Sequence, residues 1–185
     1  MKSSAILFLL LCTCVSGNSQ DKVFKTYQDY LNNAGVEIEE FVWAPETYNK
    51  VKVVFTKPGG GKVRYKAKQI WGFTYKGHLF RSTGRQFGML YDTGKVCYYI
   101  NAVAALSMLR NNSNEGVYMV NWSEYLLSVG GMGGKLYGMP AHNGLQKDFP
   151  ALKKEHPELQ ELFDCLKRKW EEQAQKCVQD YNSSH

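Results

Sequence analysis

The hydrophobic positions along this chain change rhythm three times. Ala5 to Leu11 form one unbroken apolar run behind a single charge at Lys2, and small residues follow at Val15-Ser16-Gly17 and Gly17-Asn18-Ser19. A positive start, a short apolar stretch and a small-residue cleavage site read as a secretory signal over residues 1–19. A spanning helix needs about 20 apolar residues, and no later run approaches that length, so no transmembrane span is expected. Thr26 to Asn33 then predicts a short helix, opened by a capping box of Thr26 with Asp29 and closed before Gly35.

From residue 36 to 127 the period shortens to two. Val36 to Ala44, Lys50 to Lys57 and Lys62 to Ile70 alternate as strands, with Pro58-Gly59-Gly60-Gly61 joining the last two. Shorter strands follow at Gly72 to Tyr75, Leu79 to Arg81, Gly88 to Tyr91 and Val96 to Asn101, turning at Lys76-Gly77 and Asp92-Thr93-Gly94. Ala102 to Leu109 is read as a further strand from the rhythm around it, and Val117 to Leu127 as the last long one. Residues 128–144 carry six glycines, Pro140 and no clear period, and read as a long loop. From 145 to 182 the spacing becomes helical: Leu159, Leu162, Phe163, Leu166 and Trp170 mark an apolar stripe behind Pro157. Strands first and helices last give an α+β class: one domain over 20–185, with an antiparallel β-rich sheet or partly open barrel and C-terminal helices packed on it.

Composition adds a core and a lopsided charge. Four Trp, twelve Tyr and nine Phe supply large side chains for burial. The formal charge of +6 becomes +5 once Lys2 leaves with the signal, a modest total that does not point to nucleic acid. Between Lys50 and Tyr91, however, there are ten Lys and Arg and no Asp or Glu. On a strand Lys62, Arg64, Lys66 and Lys68 share one face, and Trp71 and Tyr75 follow closely, which makes a basic and aromatic patch suited to an anionic glycan, a lipid head group or an envelope protein. The same stripe also serves as a solvated face that discourages edge-to-edge association. Glu37 and Glu39 are placed to offset it from opposite Lys50 or Lys52.

Candidate chemistry is sparse. Gly130-Gly131-Met132-Gly133-Gly134-Lys135 resembles a phosphate loop, but Leu136 follows the lysine and Val129 stands where the first glycine belongs. His78, His142, His156 and His185 lack metal-ligand spacing, so neither a metal centre nor a cofactor is expected. Asn111, Asn121 and Asn182 each head a glycosylation sequon. Cys97, Cys165 and Cys177 survive removal of the signal, and an exported chain would join one pair of them. Glu158 to Tyr181 contains no Gly or Pro and reads as one helix, which would hold Cys165 and Cys177 about 18 Å apart at ~1.5 Å per residue. That pair therefore requires a helix break near Trp170 to Ala174; otherwise Cys97 takes one of them.

Lys25 to Asn33 (K-T-Y-Q-D-Y-L-N-N), Ile70-Trp71-Gly72-Phe73-Thr74-Tyr75-Lys76, Gly94-Lys95-Val96-Cys97-Tyr98-Tyr99 and Leu162-Phe163-Asp164-Cys165, behind a short signal, resemble a loose group of small exported bacterial proteins of unknown function. The resemblance implies a periplasmic or secreted location and carries no functional residues with it. The first functional expectation is a non-enzymatic binding or interaction module, secreted or associated with the envelope. One alternative is a small hydrolase or lyase with His142 as base under the 128–144 loop, and another is a lipocalin-like carrier of an apolar ligand.

Overall fold

The computed structural model describes residues 20–46, 50–84, 86–102, 105, 109, 124–140, 149–166 and 171–185. Among these residues eleven strands fall into two sheets. The larger has eight, in the order β11 (Leu136–Pro140), β10 (Glu124–Val129), β9 (Val96–Asn101), β8 (Phe87–Asp92), β7 (His78–Ser82), β6 (Gly72–Tyr75), β1 (Lys22–Phe24), β2 (Val36–Glu37). The smaller is β3 (Glu40–Glu46), β4 (Lys50–Thr56), β5 (Lys62–Lys66), and every pairing described is antiparallel. The large sheet stays open, with β2 and β11 at its edges, so the fold is α+β and not a closed barrel. Helices α1 (Tyr27–Leu31), α2 (Phe149–Glu155), α3 (Gln160–Leu166) and α4 (Glu171–Ser184) complete it.

Local chemistry explains the elements. Thr26 and Asp29 exchange side-chain and backbone hydrogen bonds of 3.1 and 2.9 Å, the capping box that starts α1. Lys76 and Gly77 both take positive φ between the paired Tyr75 and His78, the backbone that a two-residue hairpin requires. Phe73 is the hub where the two sheets meet. Its ring lies 5.4 Å from Phe41 and Phe55 of the small sheet, and 4.8 and 5.3 Å from Phe80 and Phe87 of the large one. The same core takes in Leu152, Leu159, Leu162, Phe163, Val178 and Tyr181, so the C-terminal helices bury their apolar stripe against the sheets. Asn182 of α4 fixes the docking through its side-chain amide, which accepts from Val96 N at 3.0 Å and donates to Val96 O at 2.8 Å.

Four expectations need correction. The segment 128–144 is not a continuous loop, because Leu136 to Pro140 hydrogen-bond to β10 as an edge strand. Ala102, Ala105 and Leu109 are helical rather than extended, in line with the helix preference of Ala, Leu and Met. The helix expected over Glu158 to Tyr181 is interrupted: α3 stops at Leu166, α4 begins at Glu171, and the two lie side by side joined by the disulfide Cys165–Cys177, with Cα atoms 5.8 Å apart. Cys97 keeps a free, buried thiol. Glu37 pairs with Lys22, and Glu46 stands opposite Lys50 while Ala44 stands opposite Lys52, so the proposed offset by Glu37 and Glu39 does not form.

Candidate functional site: a cationic row and a buried guanidinium

Alternation along β5 turns Val63 and Tyr65 inward, opposite Phe55 and Val53 of β4, and Lys62, Arg64 and Lys66 outward into solvent. Lys52 pairs with Lys66 in register, adding a fourth cation to that face. Lys68 does not extend the strand. Gln69 accepts a hydrogen bond from Lys66 N at 2.7 Å, the chain tightens into a 3-10 turn at Ala67–Gln69, and Lys68 is exposed on that turn. Neither aromatic partner joins the row: Tyr75 packs on Phe41, 5.0 Å away, and Trp71 lies against α1. His142, Asn111 and Asn121 lie outside the described residues. The Asn182 side chain is engaged against β9, its Oδ1 accepting from Val96 N and its Nδ2 donating to Val96 O.

The second cluster lies on the other face of the large sheet. Arg81 on β7 is flanked in register by Gly72 of β6 and Gly88 of β8, and the space over Gly88 is taken by Leu126 and Tyr99. The guanidinium lies 5.0 Å over the Trp71 ring and 5.7 Å over that of Tyr99, and Arg81 is 5% exposed. Nη1 donates to the Tyr99 hydroxyl at 3.2 Å and Nη2 to the Gly134 carbonyl at 3.1 Å. The Tyr99 and Ser128 hydroxyls are 3.1 Å apart, and Ser128 donates to the Gly131 carbonyl at 2.9 Å. Donation therefore runs one way, from Arg81 to Tyr99 to Ser128 to Gly131. Burial raises the Tyr99 phenol above its ordinary pKa, with the Ser128 and Arg81 bonds opposing it, so the phenol stays neutral near pH 7.

The glycine loop forms one wall. Gly133 sits where a Cβ would come within 2.5 Å of the Tyr27 ring, so only glycine lets the loop lie against α1. Tyr27 and Tyr30 in turn cover Trp71 at 5.1 and 5.0 Å. The loop points carbonyls, not N–H groups, into the cluster, the reverse of a phosphate cradle. Beyond it, Lys135 and the Tyr137 hydroxyl both donate to Glu155 of α2, at 2.8 and 2.7 Å. Burial and that bond push the Tyr137 phenol up to about 12, while the Lys135 and Tyr137 bonds lower the Glu155 carboxyl.

Chemically, the cluster holds a fixed positive charge and neutral hydroxyls. Among the described residues Ser128 hydrogen-bonds to Tyr99 and Gly131, and to no histidine or carboxylate that could take its proton. No group of three or more metal-ligating side chains exists among the described residues, and no described helix is long and apolar enough to cross a membrane. Comparison with protein-family models, curated proteins and solved structures finds no match to this chain. Sequence reasoning passed over Arg81, Tyr99 and Ser128. The available signal was Arg81 directly after Leu79-Phe80 in a short strand, between strands that each begin near a glycine.

Proposed function

We propose that this is an exported, non-enzymatic binding module whose outward cationic row takes a linear polyanion, an acidic glycan chain. The observation that carries this reading is the row itself: Lys62, Arg64 and Lys66 project from one strand into solvent, Lys52 stands opposite Lys66, and Lys62, Arg64 and Lys66 form no ion pair with any carboxylate of the described residues. Alternate side chains of a strand repeat every 6.6–6.8 Å or so, which spaces the charges along a line rather than around a pocket. The filled space between the sheets favours a surface site over an internal cavity for an apolar ligand. The Cys165–Cys177 disulfide supports an oxidising compartment.

The test is titration of the purified protein with an acidic polysaccharide and with its uncharged counterpart. Binding should require the acidic groups and weaken steeply between about 0.1 and 1 M salt, where the screening length falls from about 10 to 3 Å. Arg64→Glu with Lys66→Glu should abolish it while leaving the unfolding midpoint near that of the parent. Affinity that ignores salt, or survives the double reversal, overturns the proposal.

A further inference from the structure

Two side chains in the cluster around Arg81 carry buried N–H groups with nothing to donate to. Arg81 Nε is enclosed and unpartnered, and so is the indole Nε1 of Trp71. The two are stacked, with the guanidinium carbon 5.0 Å from the Trp71 ring centre. Arg81 has five N–H donors and uses two, on Tyr99 and Gly134. No carboxylate of the described residues pairs with it, so a full positive charge sits buried with only neutral oxygens and ring faces around it. A buried charge left in this state is costly, and buried donors are ordinarily satisfied. Tyr99 and Ser128 pass their protons along the chain that ends at Gly131, and neither hydroxyl oxygen accepts from Arg81 Nε or Trp71 Nε1.

Among the described residues no negatively charged acceptor meets these donors. We propose that the stacked pair Arg81 and Trp71 is a binding site for a small carboxylate. One carboxylate oxygen would accept from Arg81 Nε–H, with an unused Nη–H completing the fork that guanidinium groups offer to carboxylates. The Trp71 indole N–H supplies a further donor to the same anion. Gly72 and Gly88 add no side chain of their own beside Arg81, Leu126 packs over Gly88, and α1 with the glycine loop closes over the pair. The site belongs to the large sheet and is independent of the cationic row on the small one.

The experiment is a titration of the 15N-labelled protein at constant ionic strength with sodium acetate, sodium phosphate or sodium chloride, following the Trp71 Nε1–H and Arg81 Nε–H resonances by NMR. Trp71→Phe assigns the indole signal by its loss. Acetate should move both resonances along one saturable curve, phosphate should need at least about tenfold more, and chloride should move neither. Trp71→Phe keeps a ring and removes one donor, so the Arg81 Nε–H curve should shift about tenfold to higher acetate, the value of one hydrogen bond to a charged group. Arg81→Lys keeps a charge without the fork and should abolish saturation at Trp71; if it fails to fold, the Trp71→Phe curve alone decides. No saturable movement, or the same curve with chloride, means that only water meets these donors and overturns the site. Tighter binding of phosphate than of acetate overturns its assignment to a carboxylate.

Discussion

Removing the disulfide should lower stability by about 3 kcal/mol. Cys165 and Cys177 are separated by 12 positions, and cross-linking a loop of that length removes roughly 9.5 cal/mol/K of chain entropy from the unfolded state, or about 3 kcal/mol at 25 °C. Cys177 is buried against the core, so Cys165→Ala with Cys177→Ala adds a small cavity cost that reduction of the parent protein does not. Urea unfolding followed by far-ultraviolet circular dichroism reads the difference. With a urea dependence of about 1–3 kcal/mol per molar, the midpoint should fall by about 1–3 M in the double variant, and by nearly as much in the parent under reductant. The double variant should itself ignore reductant, while Cys97→Ala should keep the parent's sensitivity. A midpoint unmoved by reductant, or a sensitivity abolished by Cys97→Ala, refutes the pairing and with it the return of α4 alongside α3.

Gly94→Ala should destabilise by about 1–3 kcal/mol, because the added methyl collides with the Asn182 amide that holds α4 to β9. Asn182→Ala should cost a similar amount through two lost hydrogen bonds, and thermal melts of the double variant should show less than the sum. Alkaline stability should carry the mark of Tyr137: its phenol is raised from 10.0 to about 12, so the contribution of the protonated form is whole below pH 10 and is lost as pH rises through about 12. Tyr137→Phe should flatten that decline in urea midpoints measured across the same range. The lowered Glu155 acts in the opposite sense, with stability present at neutral pH and lost as acid titrates it through its depressed pKa.

What the sequence made legible was local. The capping box at Thr26, the Lys76-Gly77 turn and the alternation on β4 and β5 each depend on residues within a few positions of one another, and each stands in the structure. The readings that failed depended on partners far along the chain. β11 reads as loop because Gly138 and Pro140 interrupt its five residues behind a glycine-rich run, whereas its pairing with β10 decides its state. The return of α4 alongside α3 has no Gly or Pro to announce it, and the cysteine spacing was the one sign that a continuous helix could not satisfy. The basic stripe was legible through Lys66 and failed at Lys68, where the Gln69 side chain closes a turn in place of the next strand bond.

The motifs that set this sequence apart converge in space. Trp71 and Gly72 from the second and Tyr99 from the third lie against Arg81, and Tyr27 and Tyr30 from the first cover Trp71, although they are separated by as much as 72 positions. Stability alone does not account for that choice. The opposite face of the same sheet is closed by Phe73, Phe80 and Phe87, and an apolar side chain at position 81 would close this face without burying a charge. Instead the chain keeps an arginine, sets glycine in register with it on both neighbouring strands, thins the adjoining loop to glycine at 133 so that it lies against Tyr27, and leaves two donors unsatisfied. Sites of that kind are where stability is given up for binding. Arg81→Met should therefore leave the unfolding free energy within about 1 kcal/mol of the parent, the lost hydrogen bonds being offset by relief of the buried charge, while removing the response to acetate. A loss above about 3 kcal/mol in urea unfolding would instead make Arg81 a structural tie between β7, Tyr99 and the glycine loop.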